Sequence, residues 1–362
     1  MRSRNIILIG AWMVLLWIVP RFSAGGQDTL LVVHPTADNL RLLDQLIRQG
    51  IFPVADVHLL GVYHQDETYD YEKSSAYIRE KNLLNMSLTE VTGALDPDDV
   101  RRKNSCTGQF RHLFAISRGA LFFGGPDIPP VLYREPVHLL TLVTDPYRHL
   151  FEVSFLYHLL VRAGDPDRDP LLASRRDYLV SGICLGMQTM HVATGGTLVQ
   201  DLPTEIYGAW TAEDVLSLSP HQQHRSYRGH LWNMRGEPTS YHFHPIVVQE
   251  GSFLDFGTSG REDGPMVLSS HHQGIEQPGS AWKIAAVSVD GKVIEAIQHL
   301  LYPHVFGVQF HPEKPGLFNP ASLHQDASGD SVSFEQVIRG TSSYDFHLKY
   351  WQRVAAPLVP GE

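Results

Sequence analysis

Ser181-Gly182-Ile183-Cys184-Leu185-Gly186-Met187-Gln188 sets a cysteine between two glycines at a strand-to-helix junction. Asp177 to Val180 reads as a short apolar strand, and Met187 to Ala193 as a helix stopped at Thr194-Gly195-Gly196. Gly-x-Cys-x-Gly is the thiol counterpart of the nucleophile elbow, in which the glycines let the backbone turn sharply beneath the reactive side chain. At a helix N-terminus the positive end of the dipole favours a thiolate. Taken alone, the motif also fits a small buried cysteine in a tight turn. A base and an orienting carboxylate stand in Phe306 to Phe310 followed by His311-Pro312-Glu313. Pro312 pushes His311 toward extended geometry, where residues two apart share a side, so Glu313 can steer the His311 ring. That is triad logic in the order Cys184, His311, Glu313. Gly119 to Asp127 reads as a strand running into the pair Gly124-Gly125. The amides of Gly125 and Leu185 could together hold an oxyanion, worth roughly a hundred- to thousandfold in rate per donor.

These three segments together resemble the class I glutamine amidotransferase-like family, and within it the gamma-glutamyl-gamma-aminobutyrate hydrolase branch. Further residues carry the resemblance: Gly124 to Pro130, Gly195 to Leu202, His244-Pro245-Ile246, Ser270-His271-His272-Gln273-Gly274-Ile275 and Asp290 to Ala296. It runs from about Ser117 to Glu313. The resemblance implies a doubly wound, mostly parallel α/β sheet flanked by helices, the flavodoxin-like fold of that family, with an added β-rich segment. It also implies a cysteine hydrolase that opens γ-glutamyl amide bonds through a thioester, with no cofactor. Leu185 stands where many members of the branch carry arginine, and Ser269 where asparagine is frequent. His221 to His242 is longer and richer in His, Arg and Tyr than the usual connection, and Asp28 to Asn104 matches only in outline. Asp127, Gln188, Ser270, His271, His272 and Gln273 are the candidates to line the substrate site.

The elements that must position these groups alternate in the doubly wound manner. Thr29 to His34 reads as a first strand, and Leu40, Leu43, Leu46 and Ile47 share one face of the helix after it. Val57 to Tyr63 is expected as a strand, and Tyr69 to Asn82, Ser105 to Ile116, Phe151 to Val161 and Tyr344 to Val354 as helices. Phe243 to Phe310 turns β-rich.

A chain of 362 residues, 43% hydrophobic, suffices for one large α/β core. A formal charge of −10 offers no basic footprint for nucleic acid. Two cysteines, Cys106 and Cys184, exclude a disulfide scaffold, and Cys106 reads as a buried thiol. Arg2 and Arg4 precede an apolar run from Ile6 to Val19, and Ser23-Ala24-Gly25 supplies small residues for signal cleavage before Gly26. Residues 1–25 are therefore expected to be a leader and 26–362 a single hydrolase domain, exported to a periplasmic or extracellular space. Left uncut, residues 6–19 would instead anchor the chain to a membrane. Asp165 to Asp169 imitates a calcium loop but lacks its glycine and its bidentate glutamate. The 20 histidines, His221, His224, His242, His244, His271 and His272 among them, follow no zinc spacing, so no metal site is expected. A small-molecule γ-glutamyl amide or peptide is the expected partner. Two other readings are a glutaminase delivering ammonia to a synthase and a catalytically silent exported binding domain.

Overall fold

The computed structural model describes residues 28–161, 169–228, 240–258, 260, 263–325, 331–339 and 341–359. The leader expected at 1–25 and residues 165–168 of the acidic loop lie outside them. The first half alternates as its sequence pattern demands. Thr29–Val33 (β1) is buried throughout, and Ala37–Arg48 (α1) follows, with Thr36 Oγ1 accepting the Asn39 amide at 3.2 Å. His58–His64 (β2), Glu72–Lys81 (α2), Met86–Val91 (β3), Thr107–Ile116 (α3) and Gly119–Phe122 (β4) come next. Pro146–Leu160 (α4), Leu179–Ile183 (β5) and Leu185–Ala193 (α5) complete this half. Beyond lie Leu198–Val199 (β6), Leu202–Tyr207 (α6) and Ala212–Ser217 (α7). The β-rich stretch holds His242–Val248 (β7), Met266–Ser269 (β8), Gly274–Ile275 (β9), Trp282–Ser288 (β10), Ile294–His299 (β11) and Val305–Val308 (β12). Leu323–Gln325 (β13), Ser331–Ser333 (β14), Phe334–Arg339 (α8) and Ser343–Ala355 (α9) follow.

Ten strands form one sheet in the order β3-β2-β1-β4-β5-β12-β11-β10-β7-β8. From β3 to β12 all pairings are parallel, and from β12 to β8 all are antiparallel. Alternation along β1 divides the core: Leu30 and Val32 face α1 and α9, while Leu31 and Val33 face the layer of α3, α4 and α5. Chain order reverses between β1 and β4, and in such sheets the crevice at the carboxyl ends of the strands is where ligands bind. β4, β5 and β12 all end there, delivering the glycine pair, Cys184 and His311 to one edge.

The boundaries differ from the sequence expectations in instructive ways. α4 starts five residues before Phe151, because Asp145 accepts the Arg148 amide at 3.2 Å and Pro146 opens the first turn. α2 and α3 begin at Glu72 and Thr107 rather than Tyr69 and Ser105. β3 is an edge strand with a mostly half-exposed pattern, which no strict alternation announced. β12 stops at Val308, so His311 lies beyond the strand rather than within it. Among the described residues no helix is long and apolar enough to cross a membrane.

Candidate active site

Cys184 sits between β5 and α5 with φ 52° and ψ −107°, a left-handed backbone that a non-glycine residue adopts only under constraint. The constraint is visible on three sides. Its amide donates to the Val308 carbonyl at 2.7 Å, which ties the turn to the end of β12. A Cβ on Gly182 would strike the Gly186 and Met187 backbone, and one on Gly186 would strike the Phe122 carbonyl. The two glycines thus let α5 press onto β4 and β5 so closely that the cysteine has no other way to turn. Its Sγ accepts a hydrogen bond from Gln309 Nε2 at 3.6 Å and meets the His311 ring.

His311 is buried, its amide donating to the Leu268 carbonyl at 2.7 Å. Its Nδ1 bonds Glu313 Oε1 at 2.8 Å, which leaves Nε2 for the sulfur. The expected partnership therefore forms, though through a turn at Pro312-Glu313 rather than a continued strand. Trp351 Nε1 donates to the Pro312 carbonyl at 3.0 Å and holds that turn in place. Burial opposes a charge on His311, but Glu313 and Cys184 outweigh it and hold the imidazole well above its ordinary value. Burial likewise opposes the Glu313 charge, yet His311 and Lys314, 3.4 Å away, bring its carboxyl down to about 2. The pair is an imidazolium locked against a carboxylate and aimed at the Cys184 sulfur.

The glycine pair is shaped by a residue that the sequence reading passed over. Arg148, on the first turn of α4, donates to the Phe123 carbonyl at 3.0 Å and the Gly124 carbonyl at 3.2 Å. It is buried against Glu152 at 2.7 Å, and burial pushes Glu152 up to about 7 despite that pairing. Across a trans peptide the N–H points opposite to the C=O. With the Gly124 carbonyl turned to Arg148, the Gly125 amide faces the other way. A Cβ on Gly125 would collide with Arg148 and stand 3.0 Å from Leu185 Cδ2. Leu185 opens α5, and its own amide has no partner within the helix. The only sequence trace of Arg148 was its spacing of four from Glu152 in an otherwise apolar stretch.

A cavity of about 380 Å³ opens over Cys184 and Gly125. All six expected substrate-site residues line it, but several are engaged with one another. His272 Nε2 bonds both Asp127 oxygens at 3.1 Å and its Nδ1 bonds Asp201 Oδ1 at 3.0 Å. Burial disfavours the charged ring, but the two carboxylates raise it to about 9. Asp127 also accepts the Leu142 amide at 2.7 Å, so it fastens the cavity rim rather than capping a helix. Gln188 Nε2 donates to the Gln273 carbonyl at 3.1 Å and Gln309 Oε1 at 3.2 Å, bracing the wall. Gln273 Nε2 in turn donates to the Gln200 carbonyl at 3.2 Å, and Ser270 Oγ bonds Ser240 Oγ at 2.8 Å. The His271 ring approaches Glu295, where His224 and His244 also converge, a tertiary grouping that the sequence spacing did not foretell. Arg225 reaches the cavity as well, with no partner for its Nε among the described residues. The basic, aromatic character of His221 to His242 was the signal for it, but named no single residue. Beyond Cys184 a second cavity, about 270 Å³, is bounded by His311, Lys314, Tyr241 and Asn39. Cys106 is buried and free as expected, its thiol pushed up by burial.

The sequence pattern of the family described as Peptidase C26 matches residues 107–313. Protein NtpR of Enterococcus hirae is 32% identical over 193 residues, covering 52% of this chain and 64% of that protein. Gamma-glutamyl-gamma-aminobutyrate hydrolase PuuD of Escherichia coli K12 is 31% identical over 167 residues, 43% of this chain and 58% of that protein. The chain thus spans less than two thirds of the length of either relative.

Proposed function

This chain belongs to the Peptidase C26 family, and we propose that it is an exported cysteine hydrolase of γ-glutamyl amides. One observation carries the reading: the line of contacts from Cys184 through His311 to Glu313 lies beside a cavity that offers both signs of charge. A γ-glutamyl group presents an α-ammonium and an α-carboxylate beside the amide to be cut. Arg225 would take the carboxylate. The bridge Asp127–His272–Asp201 sets two carboxylates against one imidazolium, and its net negative charge suits the ammonium.

Cys184 Sγ attacks the side-chain carbonyl carbon while the Gly125 and Leu185 amides take the developing oxyanion. The C–N bond breaks as His311 passes its proton to the departing amine, leaving a thioester on Cys184. Water gives a proton to His311 and attacks the thioester. The C–S bond breaks, glutamate leaves, and the sulfur pairs again with His311. These steps call on no cofactor. Leu185 places a buried apolar side chain where the branch often has arginine, so the leaving amine meets no fixed cation from that position. Neutral and larger amines are therefore expected to be accepted.

The test is release of glutamate from γ-glutamyl amides of neutral and anionic amines by leaderless protein. Comparable or better kcat/KM for the neutral set is expected. A strong preference for the anionic set, unchanged by Leu185→Arg, would overturn the charge argument. No release from any amide, with Cys184 unlabelled by a γ-glutamyl electrophile, would overturn the activity. Arg225→Gln should raise KM about tenfold and leave kcat within about twofold, the signature of lost ground-state binding. Export rests on residues 1–25. N-terminal sequencing should find a chain beginning near Gly26, and an intact Met1 in the cytosolic fraction would refute it.

A further inference from the structure

Behind the cavity wall, His224, His244 on β7, His271 after β8 and Glu295 on β11 bring their side chains together, all buried. One ligand atom from each lies within 4.8 Å of all the others. Glu295 Oε1 stands 3.0 Å from His224 Nδ1, 3.8 Å from His244 Nε2 and 3.9 Å from His271 Nε2. Proximity here is not hydrogen bonding. Both Glu295 oxygens, His224 Nδ1 and His271 Nε2 lack a hydrogen-bond partner among the described residues. A buried carboxylate left so is destabilising unless a cation meets it.

The outward nitrogens are, by contrast, anchored. His271 Nδ1 bonds the Gln273 carbonyl at 2.9 Å, His244 Nδ1 the Pro245 carbonyl at 3.2 Å, and His224 Nε2 the Tyr207 hydroxyl at 3.4 Å. Such outer bonds fix the tautomer of a metal-bound histidine and aim its lone pair inward. Burial keeps all three rings neutral near physiological pH, with values pushed down to about 4, 4 and 3 for His224, His244 and His271. Four donors at about 2.0–2.1 Å from a tetrahedral ion would be about 3.3–3.4 Å apart, a spacing that the three Glu295 distances bracket and that side-chain rotation reaches from atoms within 4.8 Å of one another.

We propose that His224, His244, His271 and Glu295 bind one zinc ion as a closed, four-ligand structural site. Three imidazoles and a carboxylate fit zinc, and four protein donors leave no open position for catalysis. Ser269 Oγ, now 2.8 Å from His244 Nε2, gives up that bond to the ion. The site joins β7, β11 and two connections, and it meets the cavity at two places: His271 itself lines it beside His272, and His224 precedes the lining residue Arg225. The ion would thereby hold the cavity wall from behind.

The test uses the purified full-length chain. Elemental analysis should find one zinc per chain. After removal with dipicolinate, added cobalt should give the intense visible absorption of a four-coordinate ion, and added zinc should raise Tm. Glu295→Gln and His271→Ala should each lose the zinc, the cobalt band and the rise in Tm. Should neither variant fold, the wild-type cobalt spectrum still decides, since octahedral surface cobalt absorbs only weakly. A chain isolated without zinc that gives neither band nor stabilisation on titration overturns the proposal. So does metal retained in full by both variants. Neither result depends on turnover.

Discussion

Cys184 carries a backbone conformation that glycine would adopt freely, so its side chain is present against a conformational cost. Cys184→Ala should abolish turnover and leave the fold intact. Cys184→Gly, equally inactive, should be the more stable of the two by about 1 kcal/mol, because only glycine relaxes at positive φ. Equal denaturation midpoints would show that the turn is not strained. Glu313 is tested by pH. It holds His311 well above its ordinary value, so Glu313→Gln should lower that value and move the alkaline limb of kcat/KM toward lower pH. A profile that merely shrinks without moving would assign Glu313 a packing role only.

At the scale of elements, α4 holds the Gly124-Gly125 loop through Arg148, and under the proposed oxyanion role that hold is separable from stability. Arg148→Met should lower kcat about tenfold to a hundredfold with KM nearly unchanged, since a misaligned amide is felt only by the developing charge. Arg148→Met with Glu152→Leu removes the orphaned carboxyl and should restore Tm without restoring kcat. If kcat recovers too, the loop is not set by the guanidinium. The elbow was legible because Gly182, Cys184 and Gly186 are local, and so was the His311–Glu313 contact two residues apart. α4 was read too short because Tyr147, Arg148 and His149 mask a start that Asp145-Pro146 announced. β3 was unread because an edge strand needs only part of an apolar pattern. The histidine cluster was illegible for a different reason: its members come from four segments, and only strand order and register bring them together.

For the whole molecule, the buried neutral histidines set an acid limit. Burial pushes His191 and His347 down to about 4 each. The unfolded chain takes up these protons near pH 6.5 and the folded one only near 4. Their contribution is therefore complete above about pH 6.5 and is lost as pH falls toward 4. Each adds roughly 1.4 kcal/mol per pH unit to the slope within that window. Urea midpoints measured between pH 7 and 5 should fall steeply, and His191→Gln should flatten the decline. A flat midpoint across that range would contradict the assignment.

β5 and β12 lie side by side in parallel register, Gly182 against Gly307 and Ile183 against Val308, so Cys184 and His311 each follow one of two neighbouring strands. Everything that forms the far wall of the cavity from Asp201 to Gln273 belongs to the excursion between those two strands. Arg225 and the rest of that far wall therefore occupy a stretch of chain separate from the segments that carry Cys184 and His311. The excursion can be exchanged like an interchangeable head on a fixed tool. Grafting another chain's segment between α6 and β7 should redirect which amide is cut while the cutting machinery stays as it is.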